Sequence, residues 1–105
     1  MKTIKNLLQP ITDFSGNSIS DGRTIFTPKL LMLLYLSGHL GTSKEDVFAL
    51  MSLGQKINDC QDDTINIEDS EFALLEKTMS PPKHPAILMA GLYKAMDQPE
   101  KSDDD

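Results

Sequence analysis

The chain is short of several things, and each shortage excludes something. It has no Trp, and aromatics make up 6% of its 105 residues, so any core must rest on Leu, Ile and Met. It has one cysteine, Cys60, which excludes an intramolecular disulfide and a multi-cysteine zinc site. Basic residues are the minority, 10 against 16 acids, for a formal net charge of −6. A chain short of Lys and Arg is poorly suited to nucleic acid or to an anionic membrane surface. Long apolar runs are missing too. The longest, Leu30 to Leu36, has seven residues, whereas a membrane span needs about 20. The N-terminal MKTIKNLLQP meets Pro10 and Asp13 before any apolar stretch of signal-peptide length forms, and no lipidation motif is present. These features predict a cytoplasmic protein.

Residues 1–26 spread Ile4, Leu7, Leu8, Ile11, Phe14, Ile19, Ile25 and Phe26 among Gly, Asn, Ser and Asp. Asp13-Phe14-Ser15-Gly16-Asn17 and Asp21-Gly22 are turn chemistry, because Gly and Asn tolerate positive φ. Short strands are expected near 2–8 and 17–20, extending to 24–26, as a small hairpin or meander.

Thr27-Pro28 then opens a helix, with Thr as N-cap and Pro at N1. Gly38 is expected to close it in the left-handed conformation. Ser43 caps a second helix, with acids in its first turn that suit the helix dipole. Val47, Leu50, Met51, Gly54 and Ile57 read as its inward face, with Phe48 and Leu53 off the stripe. The helix should end near Asn58 or Cys60. Thr64 to Ile67 alternates as a short extended piece. Asp69 or Ser70 caps a third helix, which Ser80-Pro81-Pro82 stops. His84-Pro85 starts a fourth, striped by Ile87, Leu88, Gly91, Leu92, Ala95 and Met96.

The expected fold is therefore α+β. Residues 1–97 form one small domain, with an N-terminal β-hairpin or meander over 1–26 and three to four short helices over 28–97. Residues 98–105 form a disordered acidic tail. An all-α body with 1–26 as an arm is the alternative. Charge is uneven: residues 1–30 hold four bases and two acids, residues 61–105 four bases and eleven acids.

Chemical signatures are sparse. His39 and His84 fall in no metal-binding spacing. Cys60 with a histidine and a carboxylate would make a thiol nucleophile, but nothing local supports one. Asn58 to Asp69 superficially suggests a calcium loop. Its third position is Cys60, its sixth Asp63 where Gly is needed, and its twelfth Asp69 rather than Glu. A solvated loop leading into a helix cap explains the same acids. The six glycines match no phosphate-cradling pattern. No enzyme activity, cofactor or metal is expected.

What remains is surface. The run Leu30–Leu36 is apolar all round, and a chain this short has little with which to cover such a helix. It is either a central helix or half core and half interface. Met51 and Met79 read as core, while Met89 and Met96 are as well suited to a partner surface. Candidate partner contacts are Leu31, Leu34, Tyr35, Met89, Tyr93 and Met96. The rival reading is an acidic surface that imitates nucleic-acid phosphate, using Asp62, Asp63, Glu68 and Asp69.

The N-terminal order Met-Lys-Thr-Ile-Lys, Pro10 to Asn17, Asp21-Gly22 and Thr27-Pro28-Lys29-Leu30-Leu31 resembles short accessory proteins of tailed bacteriophages. The resemblance covers about the first 35 residues, and beyond them only the layout. Pro28 in the first helical turn departs from the longer polar lead usual there. The resemblance implies a small non-enzymatic phage protein, an assembly chaperone or a binder of a host factor, and it offers no catalytic residues. Expected partners are a phage structural protein or a host protein, with a homo-oligomer as a further option. An inhibitor of a host nucleic-acid-binding or defence protein is the alternative function.

Overall fold

A computed structural model of the chain describes residues 1–41 and 43–96. The expectation of a disordered tail falls on residues outside these. The order is β1 (Lys2–Ile4), α1 (Pro28–Gly38), α2 (Lys44–Asp59), β2 (Ile65–Ile67), α3 (Asp69–Thr78) and α4 (Ala86–Met96). The layout is α+β, with an N-terminal β element and four helices.

β1 pairs antiparallel with β2, with Lys2 opposite Ile67, Thr3 opposite Asn66 and Ile4 opposite Ile65. Ile4, Ile65 and Ile67 point into the core. On the outer face the Thr3 hydroxyl donates to Asn66 Oδ1 at 2.7 Å. The partner of β1 is thus the alternating segment some 60 residues on. Nearer in sequence, residues 11–26 make a meander held by single bridges, Thr12 with Ser18 and Ser20 with Ile25. Ile19 N–H donates to the Ile11 carbonyl at 2.9 Å, and Phe26 N–H to the Ile19 carbonyl at 3.0 Å.

Both turns form as local side-chain chemistry requires. The Asp13 carboxylate accepts from the N–H groups of Ser15 and Asn17, with Gly16 at φ 87°. The Asp21 carboxylate accepts from those of Arg23 and Thr24, with Gly22 at φ 98°. These two hydrogen bonds hold the Asp21 carboxyl below its ordinary pKa.

Helix starts follow the caps. Thr27 Oγ1 accepts from Leu30 N–H, and Ser43 Oγ from Asp46 N–H. α3 differs from expectation. Its N-cap is Glu68, and the Glu71 carboxylate reaches back to Glu68 N–H at 2.8 Å. The hydrogen bond, with Lys56 Nζ at 3.0 Å beside it, lowers the Glu71 pKa. Two further details depart from expectation. Gly38 is the last residue of α1, and the chain leaves through His39 in extended backbone, so no left-handed glycine is used. Pro85 sits just before α4 rather than within it, and its carbonyl accepts from Leu88 and Met89.

The core gathers Ile4, Leu7 and Ile11 from the N-terminal segment with inward residues of all four helices. Tyr35 is buried in this core. Its hydroxyl accepts from Lys83 N–H at 2.8 Å, lies 2.9 Å from His84 Nδ1, and is 3.2 Å from Met89 Sδ. The His84 ring meets the Tyr35 ring edge-on at 5.2 Å. This hydroxyl ties α1 to the loop before α4.

Candidate functional site

α1 and α2 pack side by side, joined by residues 39–43. α1 turns Leu31, Met32, Tyr35 and Leu36 inward, at the spacing of one helix face. Leu34 is left 45% exposed, and Leu33 is partly buried. α2 turns Leu50, Leu53 and Ile57 inward. Val47, Phe48 and Met51 stay outside, with Phe48 62% and Met51 65% exposed. Leu40, in the connecting loop, is also exposed.

This corrects the expected inward face of α2. Leu53 lies in the core and Met51 on the surface. The physical reason is that the sequence carries two stripes at helical spacing. The stripe of Leu50, Leu53 and Ile57 buries three full-sized aliphatics against α1 and α3. The stripe of Val47, Met51 and Gly54 would have placed a glycine in the interface. A shallow groove of about 260 Å³ runs between α1 and α2, lined by Leu33, Leu36, Ser37, Leu50, Met51 and Gly54 among others. The loop closes tightly on Val47. A methyl on Gly41 would fall 2.5 Å from Val47 Cγ2, so any larger residue there must push the Val47 side chain aside.

Of the six contact candidates, Leu31, Tyr35, Met89 and Met96 are buried in the core. Leu34 and Tyr93 are each 45% exposed, on α1 and α4 respectively. Leu40, Val47, Phe48 and Met51 are the surface residues that sequence reasoning missed. The available signal was the aliphatic 50-53-57 spacing, which leaves 47, 48 and 51 facing out.

A larger groove of about 1050 Å³ opens between β1, α3 and the end of α4. Lys2, Phe72, Glu76, Met79, Tyr93 and Met96 are among its walls. The Lys2 ammonium sits 5.5 Å from the Phe72 ring centroid. Asp69, also on its wall, is 3.0 Å from the N-terminal amine, which lowers its pKa first by a hydrogen bond and then by charge. The walls mix both signs of charge with apolar side chains and converge on no single ligand chemistry.

The acidic candidates do not form one free face. The Asp63 carboxylate accepts from Leu8 N–H at 2.8 Å and lies 3.4 Å from Gln9 Nε2, pinning the N-terminal segment. Asp69 is paired as above, Glu68 caps α3, and Asp62 is exposed. Cys60 is half-buried, with Sγ 3.5 Å from the Asp62 carbonyl and 3.7 Å from that of Thr64. Among the described residues no three His, Cys, Asp or Glu side chains converge to hold a metal, and no helix is long and apolar enough to cross a membrane.

Comparison with family models, with curated proteins and with solved structures finds no match.

Proposed function

We propose that the chain is a non-catalytic protein-binding factor that docks its partner on the outer face of α1 and α2. The observation that carries this is the exposure of Leu34, Leu40, Val47, Phe48 and Met51 on two adjacent helices and the loop between them. Single exposed aliphatics are ordinary, but a concentration of large ones beside an apolar groove is how contact surfaces are built. Phe48 is the anchor of the face, and Met51 beside it supplies adaptable apolar area. The N-terminal resemblance makes a phage structural protein or a host factor the partner class. The acidic-inhibitor reading has less support, because Asp63 and Asp69 already hold groups of the chain itself.

A photo-reactive side chain at position 51, used in bacterial lysate with and without phage infection, tests this. One discrete adduct is expected, lost on Phe48→Asp and absent when the probe sits at exposed Ser70 on α3. Equal labelling from positions 51 and 70 would overturn the proposal.

A further inference from the structure

β1 has a free edge, and its backbone groups point along it. Lys5 N–H donates to the Ala95 carbonyl of α4 at 3.2 Å. A trans peptide is planar, with its C=O and N–H opposed, so the Ile4 carbonyl points the other way, to β2. Along an extended strand these directions alternate. Lys2 and Ile4 therefore exchange hydrogen bonds with Ile67 and Ile65, their partners in register. Thr3 and Asn66 form the pair between them, in which side chains stand closer and the backbone groups face outward. The 2.7 Å hydrogen bond from the Thr3 hydroxyl to Asn66 Oδ1 fits such a pair.

The outward groups of β1 are thus the Met1 carbonyl and the N–H and C=O of Thr3. Among the described residues no main-chain group meets them on that side. They lie on the side of β1 that faces α4, where the groove of about 1050 Å³ opens. The side chains of this groove share no single ligand chemistry. These three groups do, because they match the backbone of an extended peptide. The walls set its side chains. Phe72, Met79, Tyr93 and Met96 supply apolar surface. Lys2 and Lys5 add two bases, and the wall acid Asp69 is already engaged by the N-terminal amine at 3.0 Å, so two lysines stand against Glu76.

We propose that β1 takes a third strand, an extended peptide of a protein partner that pairs antiparallel with Thr3. An acidic residue lies opposite Thr3 and exchanges two hydrogen bonds with it, within reach of Lys5 two residues along. The second residue after it donates to the Met1 carbonyl. Side chains alternate, so its two neighbours turn to the face of Lys2, whose ammonium lies 5.5 Å from the Phe72 ring centroid, and both are apolar. This surface is separate from the α1–α2 face and does not depend on it.

Amide hydrogen exchange of the full chain, read by NMR with the blocked peptide acetyl-Ser-Val-Glu-Val-Ser-amide as probe, tests it. In the free chain Ile4 N–H should be protected and Thr3 N–H should exchange freely. The peptide should slow Thr3 exchange about tenfold and leave Ile4 unchanged. A peptide N-methylated at its Glu lacks the N–H that the Thr3 carbonyl accepts, and should bind about tenfold more weakly. Thr3→Pro removes the outward N–H and leaves the ladder to β2 whole, so it should abolish binding. Thr3→Val keeps that N–H and should retain binding. Lys5→Glu should weaken binding roughly threefold, and more at low salt.

Unchanged Thr3 exchange at millimolar peptide would overturn the proposal, as would equal binding of the N-methylated peptide. Protection of Thr3 without peptide would overturn it too. If that protection grows with protein concentration, the edge belongs to a second copy, and if it is constant, the chain covers its own edge. Phe48→Asp should leave peptide binding unchanged, so this contact and the α1–α2 face fail separately.

Discussion

α4 is mostly apolar, and α2 is mixed, yet it is α2 that shows its apolar residues. α4 hides Leu88, Met89, Leu92, Ala95 and Met96 and leaves only Tyr93 among its large apolar side chains exposed. α2 leaves Val47, Phe48 and Met51 in solvent. The difference lies in what covers each helix. The N-terminal segment crosses α4: Lys5 N–H donates to the Ala95 carbonyl at 3.2 Å, and Ile11 lies against Gly91. α2 rests on α1 and α3 with its far side open. Exposure of apolar residues is therefore decided by which helix receives a cover, not by which helix is more apolar.

The sharpest way to break the comparison lies within α2 itself. Leu53→Ala should cost about 2–5 kcal/mol in urea unfolding, because it opens a cavity in the core. Met51→Ala, two residues away, should stay within about 0.5 kcal/mol, because its side chain leaves water only when a partner binds. Equal losses would mean that the exposed stripe is in fact covered.

The cover over α4 can be tested next. A methyl on Gly91 would fall 2.6 Å from Ile11 Cγ2 and 2.9 Å from its Cγ1. Gly91→Ala should destabilise by about 1–3 kcal/mol through overpacking, and Ile11→Ala in the same chain should offset much of that loss. Gly54→Ala on uncovered α2 should instead stabilise by up to about 1 kcal/mol. The same substitution on two helices thus carries opposite signs.

Tyr35→Phe probes the joint between α1 and the loop before α4. It deprives Lys83 N–H of its acceptor and His84 of its neighbour, and should cost about 1–2 kcal/mol by thermal or chemical unfolding. The smallest effect belongs to Glu71. The Glu68 N–H hydrogen bond, and then Lys56, lower its folded-state pKa from the ordinary 4.5. The folded chain therefore binds that proton less readily than the unfolded chain does. The stabilisation is complete above the ordinary value and is lost as pH falls through the lowered one. Glu71→Gln should cost about 0.5–1 kcal/mol at neutral pH and flatten the fall in stability as pH drops below the ordinary carboxylate value.

Turns and the starts of α1 and α2 were legible in the chain because they are local. Asp13, Asp21, Thr27 and Ser43 each bond a backbone N–H two to four residues on, so residue type and spacing suffice. The α3 start was less legible, since Glu68, Asp69 and Ser70 all offer cap oxygens, and the Glu71 carboxylate reaching back to Glu68 N–H marks the first of them. The candidate site was legible only in part. Of the six candidate contacts Leu34 and Tyr93 are exposed, but Leu31, Tyr35, Met89 and Met96 could not be distinguished from them, because a largely apolar helix carries no mark of which side is covered.

The sequence by itself determined where this chain turns and where α1 and α2 begin, and it favoured an α+β class over an all-α one. Only the tertiary structure decided that β1 pairs with residues 65–67, that Leu53 rather than Met51 enters the core, and that the N-terminal segment covers α4 and leaves α2 open. The first set rests on hydrogen bonds within a few residues. The second rests on competition for burial between segments tens of residues apart, where the outcome depends on the whole packing and not on any one stretch of chain.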